Sequence, residues 1–283
     1  DKEFQIKQCS ALIKSLKSNN YKSSVFRECK ALFMCDKFYR WKDNVGDIVG
    51  MENGVIEIVD TKAIFRKGIP EDYVTKSTLN NYNPNYNWEH DHVKQFMTWM
   101  KQCFDRDSVE YVIKLLASGL KKGNIDKIFP VFTGQSGNNS KSMLAKCIEM
   151  AFGPYCINFP MSILTSDTRG NGPTPELAQA DGALFAILME PEDDVPIKGG
   201  KLKNLTGGDR YYARNCNQDG GSITSTFKTL FFCNRPPPIP TGGKAVKNRY
   251  KSIPCKSRWV EDAPEDPVEQ ELMRTYKLDK FFA

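Results

Sequence analysis

The chain has 283 residues, 40% of them hydrophobic, which is enough to bury a sizeable core in one large domain or two small ones. Its longest apolar run, 183–189, falls far short of the ~20 residues that span a bilayer, and no charged-then-apolar leader opens it, which argues against membrane insertion and secretion. The net charge of +6 is compatible with a nucleic-acid partner without requiring one.

In chain order, residues 1–45 read as helical, with one apolar stripe through Phe4, Cys9, Leu12, Ile13 and Leu16 and a second through Val25, Cys29, Leu32 and Phe33. "IVGMENGVIEIV" places two β-rich runs around Asn53-Gly54, a hairpin signal. After the loop "NNYNPNYN", helices are predicted from near Glu89 and near Asp107, the second ending at Gly123. From Ile128 the pattern alternates: strand 128–133, helix 141–152, strand 155–159, a helix from Thr174-Pro175, strand 183–189, helix 198–205 and strand 227–233. Such alternation predicts an α/β sheet with covering helices, behind a smaller, mainly helical module that ends at 122–127.

Cysteines and histidines carry no metal signature. The nine cysteines are scattered, odd in number and never C-x-x-C, so reduced intracellular thiols are expected, and His90 and His92 read as a solvated helix start.

The chemistry concentrates in "TGQSGNNSKSML". A strand, a glycine loop, Lys-Ser and a helix form the order of a phosphate-binding loop, in which backbone N–H groups surround phosphate oxygens, the lysine neutralises them and the Ser hydroxyl binds Mg²⁺. Gly134, Gly137, Asn138, Asn139, Ser140, Lys141 and Ser142 are the candidate nucleotide ligands. The spelling departs from G-x-x-x-x-G-K-[ST]: Ser140 precedes Lys141, and Gly134 lies seven residues before it. Ser is small enough for close approach, and Asn138 and Asn139 tolerate positive φ.

"ALFAILMEPE" reads as a buried strand ending in carboxylates. A strand beside the loop strand would deliver Glu190, with Glu192 as helper or substitute, to Mg²⁺ and the attacking water. "FKTLFFCN" leaves the Asn234 amide at the carboxyl edge of the sheet, and "KNRY" offers Arg249 as a guanidinium for transition-state charge on a neighbour's nucleotide. In "LKNLTGGDRYYAR" a glycine turn is flanked by Lys201, Lys203, Arg210, Tyr211, Tyr212 and Arg214, a mixture that suits single-stranded nucleic acid and equally an exposed hairpin.

The order "GQSGNNSKS", "ALFAILMEPE", "LTGGDRYYAR", "FFCN", then Arg249, resembles superfamily 3 helicases of the AAA+ class. It is most similar to the primase-helicases of large cytoplasmic DNA viruses, of poxvirus and asfarvirus type, and to their phage and plasmid relatives. "MENGVIEIVD" resembles the module that precedes the motor there, and the likeness runs from about residue 48 to 250. Asn248 stands where a second Arg often accompanies the finger.

The resemblance implies a homo-oligomer, a hexameric ring, that hydrolyses ATP with Mg²⁺ at subunit interfaces, Arg249 acting in trans. Residues 203–214 would line the channel and move single-stranded DNA. The implied layout is a collar or oligomerisation module over 1–125, the motor core over 126–260 and the start of a helical extension over 261–283. A primase domain on a longer chain and a site of replication in the host cytoplasm belong to the same expectation. A start at Asp1 and an end at "KLDKFFA" read as a piece of something longer. A nucleotide or polynucleotide kinase and a non-hydrolysing DNA-binding scaffold remain alternatives.

Overall fold

The described residues of the computed structural model are 2–35, 38, 41–134, 137–166, 175–189, 196–213, 221–238 and 243–278. They fall into two compact units, Asp1–Lys42 and Asp43–Ala283. In the first, the predicted stripes lie on α1 (Lys2–Lys17) and α2 (Asn19–Leu32), and the Ser18 side chain caps α2 by accepting from the Tyr21 amide at 3.2 Å. No residue of either helix is buried: Phe4, Leu12, Ile13, Leu16 and Val25 all stay exposed.

The second unit opens with an antiparallel sheet of β1 (Ile48–Met51), β2 (Gly54–Val59) and β3 (Lys62–Arg66). The predicted hairpin forms with its turn at Glu52-Asn53, one residue earlier than the Asn53-Gly54 signal, and β3 was not anticipated. Next come α3 (Asp91–Cys103) and α4 (Arg106–Ser118). Gly123, expected to stop the second helix, lies beyond its end in a following turn at φ +84°. The two helices do not form a separate helical module. Trp99, Met100, Phe104, Val112 and Leu115 share one core with Phe132, Leu144, Phe185 and Phe232 of the sheet layer, so the compact unit runs through the boundary expected near 125.

The central sheet is wholly parallel, as predicted for an α/β fold. It is built from β4 (Phe129–Thr133), β5 (Cys156–Phe159), β6 (Phe185–Met189), β9 (Lys228–Cys233) and β10 (Tyr250–Pro254), in the order β10-β4-β9-β6-β5. β7 (Arg210–Ala213) and β8 (Gly221–Thr224) pair as an antiparallel ribbon just before β9.

Side chains sort to the two faces with period two. Phe185, Ile187, Leu230 and Phe232 join α3, α4 and α5 (Lys141–Phe152) on one face. Ala186, Leu188, Phe231 and Cys233 join α6 (Ser162–Thr165), α8 (Gly199–Gly207) and α9 (Gly243–Arg249) on the other, while α7 (Pro175–Gln179) adds the partly buried Leu177. Burial on both faces is why β6 reads as an unbroken apolar run and β9 as one from Leu230 to Cys233.

One expectation is corrected here. The strand that leads toward the carboxylates, β6, does not lie beside β4; β9 is inserted between them. The far edge also differs from the expected helical extension, because residues after β10 form β11 (Arg258–Val260) and β12 (Thr275–Lys277), a parallel pair around α10 (Pro267–Met273).

A buried lysine fastens the end of α4 to the start of β9. Lys228 is 6% exposed, and its Nζ donates to the carbonyls of Ser118, Lys121 and Gly123 at 2.7, 2.9 and 2.7 Å. Burial pulls its pKa down to about 8. Lys228→Met strands three carbonyls and is expected to lower unfolding stability by about 2–3 kcal/mol, read as a lower urea midpoint at unchanged slope. The folded pKa lies below the ordinary 10.5, so the unfolded chain binds more protons between these values. Parent stability, measured against the variant, therefore rises with pH through that window.

Candidate functional site

Strand β4 ends at Thr133, the loop follows, and Lys141 opens α5, so the predicted strand-loop-helix order is present. Gln135 and Ser136 lie outside the described residues. Asn138 and Ser140 take left-handed backbone at φ 59° and 63°. Ser140 thus occupies, as a non-glycine, a conformation that favours glycine, which costs about 1–2 kcal/mol unless the surroundings enforce it. Part of that enforcement is visible. The Trp259 amide donates to Asn138 O at 2.8 Å, and the Cys255 amide donates to Thr133 O at 2.7 Å.

Lys141 is 8% exposed. Its Nζ donates to Asn139 Oδ1 at 2.8 Å, to Asn234 Oδ1 at 2.8 Å and, at 3.5 Å, to Gly134 O. Asn234 reaches it because β9 is the immediate neighbour of β4, in the register Thr133↔Cys233. Lys141 and Asn234, 93 positions apart, therefore meet at the carboxyl edge of the sheet.

Above this pair opens a cavity of about 510 Å³. It is lined by the polar loop residues Asn138, Asn139, Ser140, Lys141 and Ser142 and by the apolar Trp99, Met143, Met189, Trp259 and Leu278. A pocket of this volume, lined by phosphate-loop residues and aromatic rings, has the size and polarity of a nucleotide site. The residues present fit ATP: a buried ammonium, the N-terminus of α5 and an exposed Ser142 hydroxyl that would serve Mg²⁺. Burial pushes the nearby Cys103 and Cys255 thiols up to about 12, which keeps them protonated and inert.

Met189, the last residue of β6, lines the cavity, but Glu190 and Glu192 lie outside the described residues, as does Arg214. His90 and His92 bond to each other through the His92 amide, and among the described residues no three His, Cys, Asp or Glu side chains are grouped to hold a metal.

The other candidates sit elsewhere. β10 runs parallel to β4 in the register Tyr250↔Phe129, so Arg249 stands at the amino edge of the sheet, roughly 20 Å along the strands from the phosphate loop. There its Nη1 donates to Thr206 Oγ1 at 3.0 Å. Lys203 and Arg210 are exposed, one on α8 and one at the start of β7. Lys201 is half-buried, with Nζ 3.3 Å from Ser166 Oγ. Tyr211 does not present an open ring: it packs against the core with its hydroxyl enclosed, and burial holds its pKa well above the usual phenol range.

Sequence reasoning missed Trp99, Trp259, Leu278 and Thr206. Trp259 and Leu278 lie after strand β10, which went unrecognised, and nothing local in the sequence marks the other two.

The family described as "D5 N terminal like" matches residues 1–105. Over 98% of this chain, 30% of residues are identical to "Putative helicase 184R" of Invertebrate iridescent virus 6, and over 88%, 29% are identical to "Putative helicase L207/L206" of Acanthamoeba polyphaga mimivirus. The chain is thus a relative of helicase-named proteins of large DNA viruses, and it carries a D5 N-terminal-like region. It spans only 28% and 26% of those two relatives. Among solved structures, "The apo structure of NrS-1 C terminal region (305-718)" is 13% identical with a TM-score of 0.48, covering 80% of this chain and 62% of that one, a likeness too remote to weigh on function.

No side chain fits at Gly134: a Cβ there would overlap the Asn139 amide and come within 3.0 Å of Lys141 Nζ. Gly134→Ala is expected to weaken pyrophosphate binding about tenfold by displacing the amide that steers Lys141, with the melting temperature nearly unchanged, as calorimetric titration and thermal unfolding would record.

Proposed function

We propose that this chain is the motor of a superfamily 3, AAA+-class DNA helicase that acts in genome replication of a large DNA virus. The observation that carries the reading is the meeting of Lys141 and Asn234 beneath a nucleotide-sized cavity. In this reading Lys141 and the α5 N-terminus hold the β- and γ-phosphates, and the tryptophans that line the cavity, Trp99 and Trp259, receive the base. Ser142 and Glu190 hold Mg²⁺, which neutralises phosphate charge, with Glu192 assisting. Asn234 orients the attacking water without adding charge.

Arg249 acts on the neighbouring subunit. Its position at the opposite sheet edge supports this, because roughly 20 Å exceeds the reach of an arginine side chain toward its own loop. The apolar stripes left unburied on α1 and α2 support an assembly surface. The β7–β8 ribbon and the exposed Lys203 and Arg210 are proposed to face single-stranded DNA in the ring channel, together with Lys201 and Arg214. Tyr211 anchors the ribbon rather than stacking on bases.

The test is ATP turnover with and without single-stranded DNA. Lys141→Ala is expected to abolish turnover while the protein stays folded, and Arg249→Ala to bind ATP yet turn it over at least a hundredfold more slowly. Rings mixed from the two variants should regain activity, because an intact arginine then faces an intact loop. Confirmed mixed rings with no recovery would contradict action in trans.

Replacing Lys203 and Arg210 together with Ala should weaken single-strand binding about equally for all sequences. It should also flatten the slope of log affinity against log salt by roughly 0.7 per lost phosphate contact. Parent affinity and slope in the double variant would remove this face from the DNA path.

A further inference from the structure

Arg249 and the ribbon meet at one buried hydroxyl. Thr206 is 0% exposed and sits in the last turn of α8, immediately before the Gly207-Gly208 turn that leads into β7. Its Oγ1 donates to Leu202 O at 2.7 Å and accepts from Arg249 Nη1 at 3.0 Å, so its single proton is committed to the helix and its lone pairs face the guanidinium. The frame around this contact is stiff: Val246 of α9 packs with Leu202 and Leu205 of α8 in one buried cluster. Beyond it the chain turns through two glycines, Gly207 and Gly208. Gly208 is left-handed at φ +77°, with open space where a Cβ would stand, so conformation and not crowding calls for glycine there.

The chemistry of the partner matters. A carboxylate would neutralise Arg249 and fix it in place, whereas a hydroxyl orients one N–H and leaves the charge and the other four donors for an anionic oxygen. Among the described residues the guanidinium has no carboxylate partner.

We propose that Thr206 is a positioning residue that couples the nucleotide of the neighbouring subunit to the β7–β8 ribbon. When Arg249 engages a neighbour's phosphate, its hold on Thr206 shifts the last turn of α8, and the glycine turn passes that shift to β7. This rests on the reading of Arg249 as the trans-acting residue.

The assembled chain tests it through thermodynamic linkage, by the anisotropy of a labelled oligothymidylate with and without a non-hydrolysable ATP analogue. The parent is expected to show about a tenfold change in DNA affinity on adding the analogue. Thr206→Val, which exchanges the hydroxyl for a methyl group, should bring that ratio to about one, and Thr206→Ser should keep it. Affinity for each ligand alone should stay within about twofold of the parent in both variants. Arg249→Ala should also bring the ratio to about one, and adding Thr206→Val to it should change nothing more, as expected of two groups acting through one contact.

A folded Thr206→Val protein with the parent ratio overturns the inference alone, as does a Thr206→Ser protein that has lost it. An Arg249→Ala protein with the parent ratio, or a parent whose own ratio is near one, removes the trans-acting reading and the inference with it.

Discussion

The constraint on which the site depends is the burial of the Lys141 ammonium. An amine that is 8% exposed must find oxygen partners or lose its charge, and the price of leaving it bare is several kcal/mol. Three oxygens meet it, from Gly134, Asn139 and Asn234. Two belong to the loop itself, so satisfying the lysine also dictates how the loop turns. The left-handed backbone at Asn138 and Ser140 follows from that path, and the amides of Cys255 and Trp259 hold it from outside. Phosphate oxygens would take over acceptor positions that the fold has already aimed at the ammonium, so little rearrangement is needed.

The third oxygen comes from across the sheet, and that ties local chemistry to topology. Because β9 is threaded between β4 and β6, the Asn234 amide reaches the lysine from the neighbouring strand. The same parallel sheet sends its amino edge the other way, where Arg249, Thr206 and the ribbon gather. One sheet thereby separates the Lys141–Asn234 pair from the Arg249–Thr206 pair.

Much of this was legible in the residues, and the failures have a common physical cause. Helix α5 was predicted at its observed bounds because strand, glycine loop and helix are all local signals, and the apolar runs of β6 and β9 announced strands buried on both faces. The strand order was not legible: that β9 lies beside β4 is a long-range pairing with no local trace, so the carboxylate strand was set one place too near. β10 is short and polar at Lys251 and Ser252, and its residues gave no period to follow. Missing it hid both the amino-edge position of Arg249 and the segment that brings Trp259 and Leu278 over the loop. Tyr211 looked like a stacking ring by composition, since sequence does not say which face of a ribbon meets the core. The stripes of α1 and α2 marked helices in which no residue is buried.

The irregular loop and the placement of Arg249 bear on the alternative readings together. A degenerate, non-hydrolysing scaffold would have no need to keep a lysine buried under oxygen ligands in a backbone that costs energy to form, yet Ser140 is held left-handed and the ammonium remains aimed. A kinase working as a monomer would need its charge-stabilising arginine within reach of its own loop, and Arg249 faces away from it. The arrangement makes chemical sense when a second copy supplies the missing guanidinium. Under the proposed reading the first copy's arginine would reach outward in turn and each site would be completed by its neighbour, a relation that a closed ring satisfies for every subunit at once.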